Sequence, residues 1–148
     1  MAESWTYKSY QRAANRHYMN CMHLIDNFTT SKEHQCHVAS DIYYVGGYVI
    51  ECSLKFFIMN KLHMIGTYSL NDLEKCNLKV HDLHKLWDEA RNGSGGLSLD
   101  WTKLCSLTKN WSEQTRYNGS LPSSDISKVK NDFRKDLETV YNTIFQQY

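Results

Sequence analysis

An apolar run of 18 residues, Ile42 to Met59, constrains this chain more than any other feature of its sequence. The run carries Glu51 and Lys55 near its middle. A charge at the centre of a membrane-spanning helix is costly, because the bilayer core offers it no solvation. We therefore predict a central helix that is enclosed by other helices of the same chain and does not cross a membrane.

Hydrophobic periodicity predicts helices along most of the chain, and a single proline leaves room for long ones. The helices are predicted over Ser4–Phe28, Lys32–Leu62, Val80–Arg91, Ser98–Tyr117 and from the N-cap Ser124 onward. Residues 63–80 are a connection with a turn at 71–76, and Asn-Gly-Ser-Gly-Gly at 92–96 is a flexible break. No segment indicates a strand. The predicted fold is one all-α domain over 1–148, an antiparallel up-and-down bundle of four to five helices.

The charge balance limits the kind of partner. Seventeen Lys and Arg against sixteen Asp and Glu give a net charge of +1, which argues against a broad basic nucleic-acid surface. Any nucleic acid would have to bind in a local cleft. The first twenty residues contain no secretory pattern, and five cysteines without framework spacing indicate reduced thiols. We predict a cytoplasmic protein.

Cysteines and histidines raise the question of a metal site. The candidates are Cys21, His23, His34, Cys36 and His37. Zinc accepts such ligands, but no Cys-x2-Cys or His-x3-His pair is present, and cysteines pack well in apolar cores. We predict core packing for these residues, and neither a metal nor a cofactor.

Three segments together form a family-like pattern. Residues 43–55 read Tyr-Tyr-Val-Gly-Gly-Tyr-Val-Ile-Glu-Cys-Ser-Leu-Lys. The other parts are His81-Asp82-Leu83, then Trp111, then Arg116-Tyr117. In this order the pattern resembles the HEPN family, named after higher eukaryotes and prokaryotes, over about residues 5–147.

The resemblance implies a helical bundle and two classes of function. Many members of the family are metal-independent endoribonucleases that carry a late Arg-x4–6-His motif and pair two copies across a dimer. Others lack the motif and bind nucleotides or act with small nucleotidyltransferases. For this chain we predict a nucleotide- or RNA-binding homodimer in a toxin–antitoxin or phage-defence system, with a separately encoded nucleotidyltransferase as a candidate partner.

The ribonuclease motif is missing from its expected place. All seven histidines precede residue 85, so Arg116 and Arg134 have no partner of that spacing. An early match exists at Arg12 and His17, but five residues separate the two side chains by about 140° around a helix. An endoribonuclease that uses Arg12 with His17, or His81 with Arg116, remains an alternative. A structural interaction module is a third.

Six residues are candidates for a ligand site. They are Glu51, Lys55, His81, Asp82, Arg116 and Tyr117. Glu51 and Lys55 are spaced for an ion pair, which either fixes helix packing or lines a cleft. His81 and Asp82 either bond to the central helix and cap the next one, or join the same cleft. Arginine suits both a helix C-terminus and a phosphate.

Overall fold

The computed structural model describes residues 6–64, 66–75, 78–93, 96–117 and 119–146, apart from the side chains of residues 70 and 116. Its α-helices are α1 (Tyr7–Asp26), α2 (Lys32–Lys61), α3 (Leu70–Lys75), α4 (Leu83–Asp88), α5 (Ser106–Lys109), α6 (Ile126–Lys128) and α7 (Arg134–Phe145). Tight 3-10 turns span Trp101–Lys103, Glu113–Tyr117 and Ser123–Asp125, and π-helical turns span Glu89–Gly93 and Val129–Phe133. These residues contain no β-strand, which confirms the prediction of an all-α bundle.

A capping box begins the first helix, and an apolar stripe attaches it to the core. The Thr6 hydroxyl accepts from the Ser9 amide at 3.2 Å, and the Ser9 hydroxyl accepts from the Thr6 amide at 3.1 Å. The buried side chains of α1 are Tyr10, Ala14, Cys21 and Ile25, which follow one another at intervals of four and seven residues on one face. The helix ends at Asp26, two residues before the predicted end.

The second helix is the centre of the bundle. All residues from Val49 to Met59 are buried, and α1, α4 and α7 pack around them. By length and composition this is the one helix in the described ranges that could cross a membrane, but 83% of its most apolar window lies buried in the bundle. That burial is typical of a core helix and agrees with the sequence prediction.

Two glycines let other segments approach the α2 backbone closely. A Cβ atom at Gly46 would overlap the ring of Phe133, and one at Gly47 would overlap the indole of Trp111. Phe133 lies at the end of the π-helical turn in the last helical run. Trp111 belongs to an irregular segment and not to a helix.

The predicted fourth helix, Ser98–Tyr117, is wrong. Asp100 accepts from the Thr102 amide at 3.0 Å and begins a 3-10 turn. Cys105 is extended, with ψ 164°, and its amide donates to Asp136 at 2.8 Å. Backbone amides of this segment therefore find carboxylate acceptors instead of helical carbonyls, so no continuous helix is needed to satisfy them.

Two helix starts also differ from the predictions. The third predicted helix begins at Leu83 and not at Val80, because Asp82 is its N-cap. The last one begins at Ile126 after a 3-10 turn at Ser123–Asp125, and no side chain caps it, so Ser124 is not the N-cap. The predicted flexible break at 92–96 is π-helical up to residue 93, and residues 94 and 95 lie outside the described residues.

The contact between Gly47 and Trp111 predicts a large effect of one methyl group. We expect Gly47→Ala to lower the free energy of unfolding by about 2 kcal/mol or more, because overpacking outweighs the gain in helix propensity of about 1 kcal/mol. Urea unfolding measures the change. Gly119→Ala is the matched control, since a Cβ there meets nothing within 4 Å. Equal stability of the Gly47→Ala variant and the wild type would contradict the packing described here.

Candidate functional site

Two opposite charges are buried one turn apart on the central helix. Glu51 and Lys55 are each 4% exposed, and the Lys55 ammonium lies 3.4 Å from Glu51 Oε2. The ammonium also lies 5.5 Å from the centre of the Tyr10 ring, over its face. The predicted ion pair is confirmed. Since ionised side chains are rarely buried unless paired, each charge depends on the other for its place in the core.

His81 completes the pairing of the buried carboxylate. Its Nδ1 lies 2.7 Å from Glu51 Oε1, a contact that joins the start of α4 to the middle of α2. An ionised carboxylate only accepts hydrogen bonds, so Nδ1 donates. The Nε2 atom faces outward and lies 3.4 Å from Glu113 Oε2, and the His81 side chain is 44% exposed. Glu51 thus fixes an imidazole at the edge of the bundle.

A cluster of aromatic rings lies beside this imidazole. The Tyr48 ring lies edge-on to His81 at 6.4 Å and edge-on to Trp111 at 5.1 Å. The Tyr44 hydroxyl donates to the Tyr48 hydroxyl at 3.3 Å. On the α1 side, the His17 ring lies 6.1 Å from Tyr48. Tyr48 therefore contacts both His17 of α1 and His81, which precedes the N-cap of α4.

Burial and the Glu51 charge make the neighbouring groups harder to ionise. Burial and, secondarily, Glu51 raise the pKa of the Cys52 thiol to about 12. Burial, followed by the charges at Cys52 and Glu51, raises the pKa of Tyr10 above its ordinary value. The pKa of Tyr48 is raised by burial and by its hydrogen bond to Tyr44. These groups stay protonated near neutral pH, so none is a ready nucleophile.

The other predicted ligand residues, which are Asp82, Arg116 and Tyr117, have different roles. Asp82 accepts from the Lys85 amide at 3.1 Å, which confirms its capping role. Tyr117 is 75% exposed at the end of the 3-10 turn Glu113–Tyr117. Arg116 belongs to that turn, but its side chain lies outside the described residues. The convergence of Glu51, Lys55 and His81 is thus observed, while a contribution from Arg116 stays a prediction.

The two catalytic candidates of α1, Arg12 and His17, have different surroundings. Arg12 is exposed and lines a surface cleft of about 460 Å³ with Ser9, Ala13, Asn15 and Arg16. His17 is half-buried and packs on Tyr48. Burial and the charge of Arg16 lower the pKa of His17. Nothing in this geometry brings the Arg12 guanidinium to the imidazole.

Sequence reasoning missed three members of the site. Tyr10 comes from α1, Tyr48 from α2, and Glu113 from a segment predicted to be an uninterrupted helix. The spacing of Tyr44, Tyr48, Glu51 and Lys55 on one side of α2 could have indicated Tyr48. No local signal indicates Glu113, because its approach to His81 depends on the path of residues 96–117.

The cysteines and histidines considered for zinc are dispersed. Cys21 is buried, its thiol donates to the Ile42 carbonyl at 3.7 Å, and burial raises its pKa to about 12. His37 Nδ1 lies 2.7 Å from the Ser120 hydroxyl. Within the described ranges, no three His, Cys, Asp or Glu side chains come together as a metal site.

A cleft larger than the one beside Arg12 lies elsewhere, between α4, the segment 98–105 and the last helical run. It has a volume of about 890 Å³, and its charged lining residues are Arg91, Asp100, Lys103, Asp132, Lys135 and Asp136. Three cations and three carboxylates balance there. Asp100 and Asp136 bind backbone amides and threonine hydroxyls, and so hold the segment in place. None of the six predicted ligand residues lines this cleft.

No protein-family model, curated protein or solved structure matches this chain. The HEPN resemblance therefore stays a prediction from the sequence motifs.

The buried pair of Glu51 and Lys55 predicts that replacing one partner destabilises the fold more than replacing both. We expect Glu51→Leu to cost about 3–5 kcal/mol of unfolding free energy, because it leaves the Lys55 ammonium buried without a carboxylate. Adding Lys55→Met should recover most of the loss. Urea unfolding measures both. Glu74→Leu, which breaks the exposed pair with Lys79, should change stability little. A double variant no more stable than Glu51→Leu would contradict this account.

The environment of His17 predicts a direction of pH dependence. Its folded-state pKa lies below the ordinary value of 6.5, so folding favours the neutral ring. The resulting stability is present above about pH 6.5 and is lost as the pH falls through the folded-state pKa. NMR titration of the His17 Hε1 proton should give a midpoint below 6.5, and Arg16→Gln should raise it. A wild-type midpoint at or above 6.5 would be inconsistent with this burial.

Proposed function

We propose that this chain is a HEPN-like domain that binds a nucleotide or RNA at the polar site around His81. The observation that carries the proposal is the 2.7 Å contact between Glu51 Oε1 and His81 Nδ1. It holds an imidazole at the bundle edge, where Nε2 and the side chains beside it can meet a ligand. The finer HEPN-like arrangement of an up-and-down bundle of four to five helices in one domain is part of this proposal.

A purely structural role explains the buried charges less well. Apolar residues of similar volume often stabilise a core as well as a buried ion pair does. A carboxylate that binds both Lys55 and His81 holds the ring in one orientation, which a methyl group cannot do. We infer that the pair serves to position His81 toward a ligand. Aromatic rings such as Tyr48 are suitable neighbours for a nucleobase.

A metal-independent endoribonuclease is the second candidate, and the same contact favours it. A carboxylate on Nδ1 orients a histidine and stabilises its charged form during proton transfer at Nε2. The Glu113 carboxylate lies 3.4 Å from Nε2 and would repel a phosphate there, so it would have to move. For that reason we place binding before catalysis. Arg116 is the proposed phosphate partner in either case.

The biological setting is proposed from the family resemblance alone. The protein would act in the cytoplasm as part of a toxin–antitoxin or phage-defence system. It would form a homodimer and act with a nucleotidyltransferase encoded by a separate gene. An adjacent nucleotidyltransferase gene would support this setting. Co-purification of the two proteins would test the partnership.

Two assays on the same proteins distinguish these functions. For a binding domain we expect ATP, GTP or a short RNA to raise the Tm, and His81→Ala and Arg116→Ala to weaken the shift, with RNA intact in EDTA. For a ribonuclease we expect cleavage in EDTA that His81→Ala abolishes. His17→Ala tests the α1 pair in the same way.

His34→Ala is the matched control, because His34 is exposed at the start of α2. It should behave as the wild type in both assays. If no nucleotide or RNA shifts the Tm and no RNA is cleaved, the proposal is wrong and the structural interaction module remains.

A further inference from the structure

A row of cations on α1 has no counter-charge on its own helix. Lys8, Arg12 and Arg16 follow one another at intervals of four residues, so they lie on one face about 6 Å apart along the axis. All three side chains are exposed. None of them forms an ion pair within the described part of the chain, and the first acidic residue of α1 is Asp26, which pairs with Arg134.

This arrangement opposes the stability of the helix. The N-terminus of a helix carries a partial positive charge, so Lys8 in the first turn is unfavourable there. Like charges four residues apart repel each other as well. Helix stability therefore does not account for the row, whereas an anionic partner would relieve both repulsions.

A surface cleft lies beside two of these cations. The cleft of about 460 Å³ has Arg12 and Arg16 on its lining, with Ala13 and Asn15. Asn15 Oδ1 accepts from the Tyr141 hydroxyl at 2.8 Å. That bond leaves the Asn15 amide hydrogens as donors beside the two guanidinium groups, which suits phosphate oxygens.

The row leads to the site around His81. Arg16 precedes His17, whose ring packs on Tyr48, and Tyr48 in turn packs on His81. The charge of Arg16 also acts on Cys52, the residue after Glu51. Cations that follow a backbone, next to aromatic rings on which bases can stack, are typical of surfaces that bind single-stranded nucleic acid.

We propose that Lys8, Arg12 and Arg16 bind the phosphodiester backbone of a single-stranded RNA and direct it past Tyr48 to His81. This inference rests on the proposed function and names its ligand class. It assigns Arg12 to phosphate binding and not to catalysis. It also explains how a chain with a net charge of +1 can hold a nucleic acid, since these cations are concentrated on one helix face.

Salt-dependent binding tests the inference. Fluorescence anisotropy with a labelled 12-nucleotide RNA should give a log–log salt slope that falls by about 0.7 for each cation removed. The variant Lys8→Gln/Arg12→Gln/Arg16→Gln should bind at least about tenfold more weakly in low salt. Weaker binding of a DNA of the same sequence would show that the protein contacts the 2′-hydroxyl group of the ribose.

The matched control removes the same charge from the large cleft. Arg91→Gln/Lys103→Gln/Lys135→Gln should leave the RNA affinity near that of the wild type. An equal loss in both triple variants would show that only overall charge matters, and a loss confined to the control would place RNA in the large cleft. Either result overturns the inference. The α1 variant should unfold in urea at the same or a higher concentration than the wild type, so weak binding would not reflect misfolding.

The proposed function and this inference fail in different ways. If the wild type binds RNA, His81→Ala weakens binding and the α1 variant does not, the inference is wrong and the proposed function stands. The same holds if only mononucleotides bind. If neither RNA nor nucleotides bind the wild type, both are wrong.

Discussion

Enclosure of the Glu51 carboxylate in the core is the constraint on which the arrangement of this molecule depends. One oxygen binds Lys55 on the same helix, and the other binds His81, thirty residues later in the chain. A carboxylate buried among apolar side chains is costly unless both oxygens have partners. The beginning of α4 is therefore held against α2. His81 lies between the buried Glu51 carboxylate and the exposed Glu113 carboxylate.

Close packing around the same helix determines what surrounds the site. Gly47 accepts the Trp111 indole against the backbone, which brings the segment after α5 across α2. Glu113 follows two residues later and reaches His81. One side of the site is thus made by a segment whose position depends on a glycine of the central helix. The site and the core are parts of one packing arrangement.

The regular helices could be predicted from the sequence, while the irregular segment could not. The stripes of α1 and the last helical run reflect burial of one face, and periodicity detects that directly. The continuous apolar run of α2 reflects burial on all sides, and it is equally visible in the sequence. Leu104, Leu107 and Trp111 have the same spacing, but the amides around them bind Asp100 and Asp136. Asp136 is 31 residues from Cys105 in the chain, so this acceptor leaves no local pattern. Glu51 and Lys55 could be predicted as a pair because they lie four residues apart on one helix. The approach of Glu113 to His81 could not, because these two residues are far apart in the chain.

The polar site around His81 and the cationic face of α1 have different charges. Around His81 the charges of Glu51 and Lys55 balance and Glu113 adds a carboxylate, so this part of the site cannot attract a polyanion over a distance. In the proposed function, the exposed cations of α1 supply that attraction. Positive charge is thus concentrated on one helix face of a chain whose charges nearly cancel overall.

The most direct test of the central claim is an NMR measurement of the imidazole nitrogens during titration with a short RNA. We expect the His81 nitrogens to shift on binding, and the shift to disappear in Glu51→Leu/Lys55→Met, because the ring loses the carboxylate that accepts from Nδ1. His84, which pairs with Asp88 on the same helix, should shift little. An unchanged His81 spectrum with RNA bound to the protein would contradict the account.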